Sequence, residues 1–124
     1  MRLLLDTNVL LWWLTEQRIA PTAFTAIASA ESDVWVSTAT VWEMGIKAGL
    51  GKLTMPRDLT SQLTRNGFEV LPVQLPHALA IAALPTHHAD PFDRMLVAQA
   101  QAEQLTLVTR DANIPKYDVA VLAA

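Results

Sequence analysis

The chain has 124 residues, 52% hydrophobic and 17% charged, with a net charge of −3 and no cysteine. This excludes disulfide and thiolate chemistry, restricts any zinc site to histidine and carboxylate ligands, and rules out nucleic-acid binding by bulk positive charge. No stretch approaches the ~20 apolar residues of a membrane span, and Asp6 and Asn8 interrupt the apolar N-terminus before any signal-like segment, so a cytoplasmic protein folded as one domain over residues 1–124 is expected.

Arg2-Leu3-Leu4-Leu5 is too short for an amphipathic helix and reads as a buried strand, ending on Asp6. Val9 to Leu14 follow as an apolar helix that stops near Thr15-Glu16. Pro21 opens a second helix running towards Ser32-Asp33. Val34-Trp35-Val36 is the second strand, with Ser37 at its end. Val41, Trp42, Ile46 and Leu50 recur at helical spacing, and Gly49 and Gly51 mark the stop. Pro56 is expected to open a helix through Leu59 and Leu63, closed by Asn66-Gly67. Phe68 to Val73 is the third strand and Pro76 to Leu84 an Ala-rich helix. A polar loop from Pro85 to Asp90 leads to Pro91 and a helix carrying Met95, Leu96, Ala98 and Ala102. Leu105 to Val108 is the fourth strand, ending on Thr109-Arg110-Asp111, and Val119 to Leu122 the last.

Strands alternating with helices predict an α/β fold with a mostly parallel sheet of four to five strands, covered on both faces. Right-handed crossovers bring the ends of strands one, two and four to one edge, which receives Asp6, Ser37 and Thr109 to Asp111. Open sheets of this kind place their ligands at that edge.

Each acid near this edge also has a purely structural reading. Asp6 or Asn8 caps the next helix. Glu43 completes a capping box with Thr40 or forms a surface pair with Lys47. Asp90 caps the helix opened by Pro91, and Asp93 favours its dipole. Asp111 sits in an Asx turn. His87 and His88 form a weak metal motif, with a loop-ordering or substrate-side role as the functional alternative and a plain surface loop as the simpler one. His77 is expected on a helix surface.

The set is less easily dismissed. Asp6, Glu43, Asp93 and Asp111 carry a formal −4 towards one edge, and such a group repels itself or takes up protons unless a cation joins it. Mg²⁺ suits an all-oxygen site, with Mn²⁺ able to substitute. Such a site activates water and stabilises charge on a phosphodiester under in-line attack. Asp6 and Asp93 are expected to make the firmest metal contacts, with Glu43 and Asp111 completing the site directly or through water. Arg94, Arg110, Lys47 and Lys116 fall near the edge and are candidates to hold phosphates. Low charge and four tryptophans point to a partner surface; Trp12, Trp13 and Trp42 are its candidates, with at least two of the four expected in the core.

Leu4-Leu5-Asp6-Thr7-Asn8, Glu43 within Val-Trp-Glu-Met-Gly-Ile-Lys, Asp90-Pro-Phe-Asp93-Arg94 and Leu107-Val-Thr-Arg-Asp111 together resemble the PIN-domain nucleases, and among them the VapC-like toxins of bacterial toxin–antitoxin pairs. The resemblance covers essentially the whole chain, in order. It implies a three-layer α/β/α fold, a Mg²⁺-dependent endoribonuclease, a homodimer, and inhibition by a small VapB-like antitoxin. It makes Asp6, Glu43, Asp93 and Asp111 the acidic quartet, favours Asp93 over Asp90 as the family acid, and makes Asn8, Ser37 and Thr109 supporting donors, with Asp90 as the cap beside them. The expected products are a 5′-phosphate and a 3′-hydroxyl. The alternatives are a catalytically inactive PIN-like interaction module and a phospho-acceptor receiver domain, although Pro72-Val73-Gln74 offers no acceptor acid after the third strand. A haloacid-dehalogenase-like phosphatase needs a second Asp where Asn8 stands.

Overall fold

Leu3, Leu4 and Leu5 are all fully buried, because the first strand, β1 (Arg2–Leu5), lies in the middle of a sheet covered on both sides. That position explains its unbroken apolar run, since a strand buried on both faces has no polar face to alternate with. In the computed structural model, which describes residues Met1–Ala124, five strands form one parallel sheet in the order β3-β2-β1-β4-β5. These are β2 (Asp33–Ser37), β3 (Glu69–Leu71), β4 (Thr106–Thr109) and β5 (Val121–Ala123). Six helices complete a three-layer α/β/α fold: α1 (Thr7–Leu14), α2 (Pro21–Ala28), α3 (Thr38–Gly49), α4 (Leu59–Arg65), α5 (Leu75–Ala80) and α6 (Pro91–Glu103). None is long and apolar enough to cross a membrane.

The two helical layers follow from strand order. Leu3, Leu5, Val34 and Val36 pack with Val9 and Leu10 of α1, Ile27 of α2, Met44 of α3 and Leu63 of α4. Leu4 and Leu107, pointing the other way, pack with Leu96, Val97 and Ala100 of α6 and with Ile114 and Tyr117. The chain winds outwards from β1 to β3, then returns through α5 and α6 to β4 on the other side of β1. The strand order reverses beside β1, which makes its C-terminal end the switch point of the sheet.

Several boundaries differ from the sequence expectation, each for a local reason. The second helix ends at Ala28, where Ser29 turns extended and its Oγ accepts from the Glu31 N–H at 3.2 Å. The fourth helix begins at Leu59 rather than Pro56, because Asp58 takes a left-handed conformation (φ 51°) just before it. The third strand is cut to Glu69–Leu71. Phe68 N donates back to Leu63 O at 2.9 Å, and Val73 N donates to Thr38 Oγ1 at 3.1 Å, so both ends leave the ladder.

His77 is not on the helix surface but 1% exposed. Its Nδ1 accepts from Gln74 N at 3.0 Å and its Nε2 lies 2.9 Å from Glu103 Oε1, in the seam between α5 and α6. Trp13 packs against Phe24 and Phe68 and donates to Asn66, and Trp35 packs on the α6 side. Trp42 is 65% exposed.

Candidate active site

Asp6 extends β1 by one residue: its N–H donates to Val108 O on β4 at 3.1 Å. It is also the cap of α1, with Oδ1 accepting from Val9 N at 2.8 Å. Its other oxygen accepts from the Thr109 hydroxyl at the end of β4. Capping and site placement therefore use different oxygens of one buried carboxylate. Thr109 Oγ1 also accepts from Asp111 N at 3.0 Å, so one hydroxyl ties together the two strand-end acids. Asp111 Oδ1 accepts from Asn113 N at 2.8 Å, which is the Asx turn expected from the sequence.

Glu43 is reached differently. Ser37 caps α3, its Oγ accepting from Ala39 N at 3.0 Å, so Thr40 lies inside the helix and forms no capping box. The early start turns Glu43 inward, where it is 4% exposed. Thr7 Oγ1 donates to its Oε1 at 2.6 Å and Lys47 Nζ to its Oε2 at 2.7 Å. The i,i+4 pair exists, but only its lysine end meets solvent, with the Lys47 side chain 43% exposed.

Asp90 caps α6, its Oδ1 accepting from Phe92 N at 2.8 Å and Asp93 N at 3.1 Å. Pro91 follows at the first helical position, where no N–H is needed. Asp93 stands in the first turn. His88 Nε2 lies 2.9 Å from Asp93 Oδ2 and 3.0 Å from Asp111 Oδ2.

Asp6, Glu43, Asp93 and Asp111 line one cleft of about 320 Å³, together with Thr7, Asn8, Trp12, Lys47, His88, Asp90 and Arg110. Ser37 and Thr109 lie buried outside the lining. Arg94 turns away, donating to Pro85 O at 3.1 Å and Ile81 O at 3.2 Å beside a separate apolar groove. Lys116 binds Asn113 Oδ1 at 3.0 Å and does not line the cleft. Arg110 lies 4.0 Å over the Trp12 ring at the cleft wall, with Nε and Nη2 on Ala124 O and Nη2 also on Arg18 O.

Sequence reasoning missed Thr7, whose only local signal is a hydroxyl directly after the strand-end acid. For His88 the sequence offered a weak metal motif, a loop-ordering or substrate-side role, or a plain surface loop; its ring lies between Asp93 and Asp111 at the cleft.

Crowded carboxylates shift one another. Burial, then the charges of Asp90, Asp6 and Glu43, push Asp93 up to about 7, with His88 opposing. Burial also raises Asp6, against the hydrogen bonds from Thr109 and Val9. Asp111 is lowered, first by the Asn113 N–H and then by His88. Lys47 is raised by its hydrogen bond to Glu43. Two raised acids facing two more acids is the electrostatic condition that a divalent cation relieves, and the oxygen-rich donor set suits a hard one.

The PIN-domain family model matches residues 3–120. VapBC2 from Rickettsia felis, bound to a DNA fragment from its promoter, shares 16% identity at a TM-score of 0.74, over 99% of this chain and 98% of that one. FitAcB from Neisseria gonorrhoeae shares 28% identity at 0.69, over 97% and 96%. A toxin–antitoxin complex from Klebsiella pneumoniae shares 22% at 0.62, over 96% and 94%. No curated protein sequence matches.

Proposed function

The chain belongs to the PIN-domain family, and we propose that it is a Mg²⁺-dependent endoribonuclease, a VapC-like toxin restrained by a small antitoxin. One observation carries the reading: Asp6, Glu43, Asp93 and Asp111, from four separate segments, line a single cleft. PIN domains are generally nucleases and typically bind divalent metals.

Asp6 and Asp93 would hold the cation, with Glu43 and Asp111 completing the site. A bound divalent ion supplies Lewis-acid stabilisation of the charge on the phosphodiester and acidifies water. The chain's own groups do the positioning. Thr109 and the Val9 N–H fix Asp6, the Asn113 N–H fixes Asp111, and Thr7 with Lys47 fixes Glu43. Glu43 or Asp111 orients the water that attacks phosphorus, and the 3′-oxygen leaves, giving a 5′-phosphate and a 3′-hydroxyl. Arg110, held over the Trp12 ring, stands where a flanking RNA phosphate would pass. Lys47 is committed to Glu43 and Arg94 to backbone carbonyls, so few cations remain to grip RNA, which favours a short or structured target over bulk degradation.

The partner reading draws on the toxin–antitoxin complex among the similar structures and on the apolar groove beside the cleft, about 570 Å³, lined by Trp42, Val73, Ile81, Phe92 and Met95. A second copy of the chain or the antitoxin would cover it. An inactive interaction module is the weaker reading, since all four acids are kept and three are tied to backbone N–H or hydroxyl donors.

The test compares the wild-type chain with Asp6→Asn on structured RNA. Asn still caps α1, so the variant should fold, as circular dichroism would verify. Mg²⁺-dependent cleavage with 5′-phosphate ends is expected from the wild type and none from the variant. Full cleavage by Asp6→Asn, or by the wild type in EDTA, would overturn the proposal.

A further inference from the structure

Among the groups lining the cleft, His88 is the imidazole, and it bridges two of the acids. The backbone tethers it there. His88 N–H donates to the hydroxyl of buried Tyr117 at 3.0 Å, and the neighbouring His87 ring meets the Tyr117 ring edge-on at 5.0 Å. The loop before α6 is thus pinned by two consecutive residues, and the His88 ring is delivered to Asp93 and Asp111 rather than left to solvent.

The spacing has a second meaning besides a hydrogen bond. Nε2 and the two Oδ2 atoms all lie within 4.8 Å of one another, with Nε2 at 2.9 and 3.0 Å from the oxygens. Adjacent ligands of an octahedral ion with bonds of about 2.1 Å are separated by about 3.0 Å. A single ring N–H serves two carboxylates poorly, because it points at one or is shared between both. A cation in front of all three atoms serves them together. The ring is free to take this role: its Nδ1 is engaged only by Asp90 N at 3.4 Å and by no carboxylate. Moving the ring hydrogen from Nε2 to Nδ1 gives up that long contact and the Nε2–H donation to the two carboxylates, and leaves an Nε2 lone pair that a cation shared with both oxygens would engage.

We propose that His88 is a nitrogen ligand of the cation held by Asp93 and Asp111, forming a mixed imidazole–carboxylate site that prefers Mn²⁺ to Mg²⁺. The proposal rests on the reading of the acids as a cation site and adds its metal preference. Imidazole coordinates transition metals more readily than it does Mg²⁺, whose preferred partners are oxygens. The oxygen-only set of Asp6, Glu43, Asp93 and Asp111 would give no such preference beyond the ordinary order of the metals.

Pulsed electron paramagnetic resonance on the full chain loaded with Mn²⁺ reads the ligand directly. Nitrogen modulation from a coordinated ring is expected in the wild type, unchanged in His87→Gln and lost in His88→Gln. Titrations should show the Mn²⁺-over-Mg²⁺ preference of the wild type lost in His88→Gln, with thermal melts verifying that this variant folds. Bound Mn²⁺ without nitrogen modulation in the wild type overturns the proposal and leaves His88 as a hydrogen-bonding bridge. So does modulation that persists in His88→Gln. No Mn²⁺ binding by the wild type would instead overturn the cation site itself, and this inference with it.

Discussion

Asp93 is the residue where the crowding of the cleft is felt most. Its carboxyl ordinarily titrates at 3.8 and here titrates at about 7, because burial and then Asp90, Asp6 and Glu43 disfavour its charge. Between those values the folded chain binds a proton that the unfolded chain releases, so this contribution to stability is complete below about pH 4 and is lost as pH rises through about 7. Asp111 has the opposite sign, but its lowered pKa confines its effect to pH below 3.8. The melting temperature of the metal-free protein should therefore carry a component that falls as pH rises from 4 to 7.5, which Asp93→Asn reduces and to which raised Asp6 contributes with the same sign. An identical pH profile in the variant would contradict this. Thr109 is the other residue with leverage beyond its size, since its hydroxyl serves Asp6 and Asp111 together. Thr109→Val keeps the shape and removes both bonds. Single-turnover RNA cleavage should fall about 10- to 100-fold, while chemical denaturation shows a loss of only about 1–3 kcal/mol.

At the scale of elements, the lining of the cleft depends on where helices begin. Ser37 starts α3 early enough to carry Glu43 inward, and Asp90 starts α6 so that Asp93 falls in its first turn. Asp90→Ala strips the cap from two N–H groups and should cost about 1 kcal/mol in urea denaturation. Asp90→Ser keeps a cap and should recover most of it. Equal stability of the two variants would mean that the cap is not what fixes the entry to α6. The same scale shows where local signals fail. Asp90-Pro91 marks a true helix start, whereas Pro56 precedes a helix that waits for Leu59 behind the left-handed Asp58. Proline reports its own fixed φ and missing N–H and does not dictate the conformation two residues later, where Asp58 turns left-handed.

For the whole molecule, the cleft joins the end of β1, the start of α6, the interior of α3 and the segment after β4. A ligand that binds only when these are assembled must stabilise the fold. Mg²⁺ or Mn²⁺ at 100 times its dissociation constant should raise stability by about 2.7 kcal/mol, seen as a higher melting temperature at neutral pH. Asp6→Asn should abolish most of that rise. A metal-induced shift of equal size in the variant would place the cation elsewhere.

The chain alone determines its α/β class and the positions of most elements, because these follow from local facts. Leu3-Leu4-Leu5 marks a strand buried on both faces, and Asp6, Asp90 and Asp111 sit at a strand end, a helix cap and a turn. The family resemblance added the expectation that Asp6, Glu43, Asp93 and Asp111 act as one set. Tertiary structure alone decides which distant groups the acids touch. Thr109 reaches Asp6 across 103 positions and Thr7 reaches Glu43 across 36, contacts fixed by strand order and helix rotation rather than by neighbouring residues. His88 and His77 show the same limit: one is drawn between two acids and the other buried against Glu103. Hydrophobic periodicity carries no information about a polar side chain whose partners arrive from another layer of the fold.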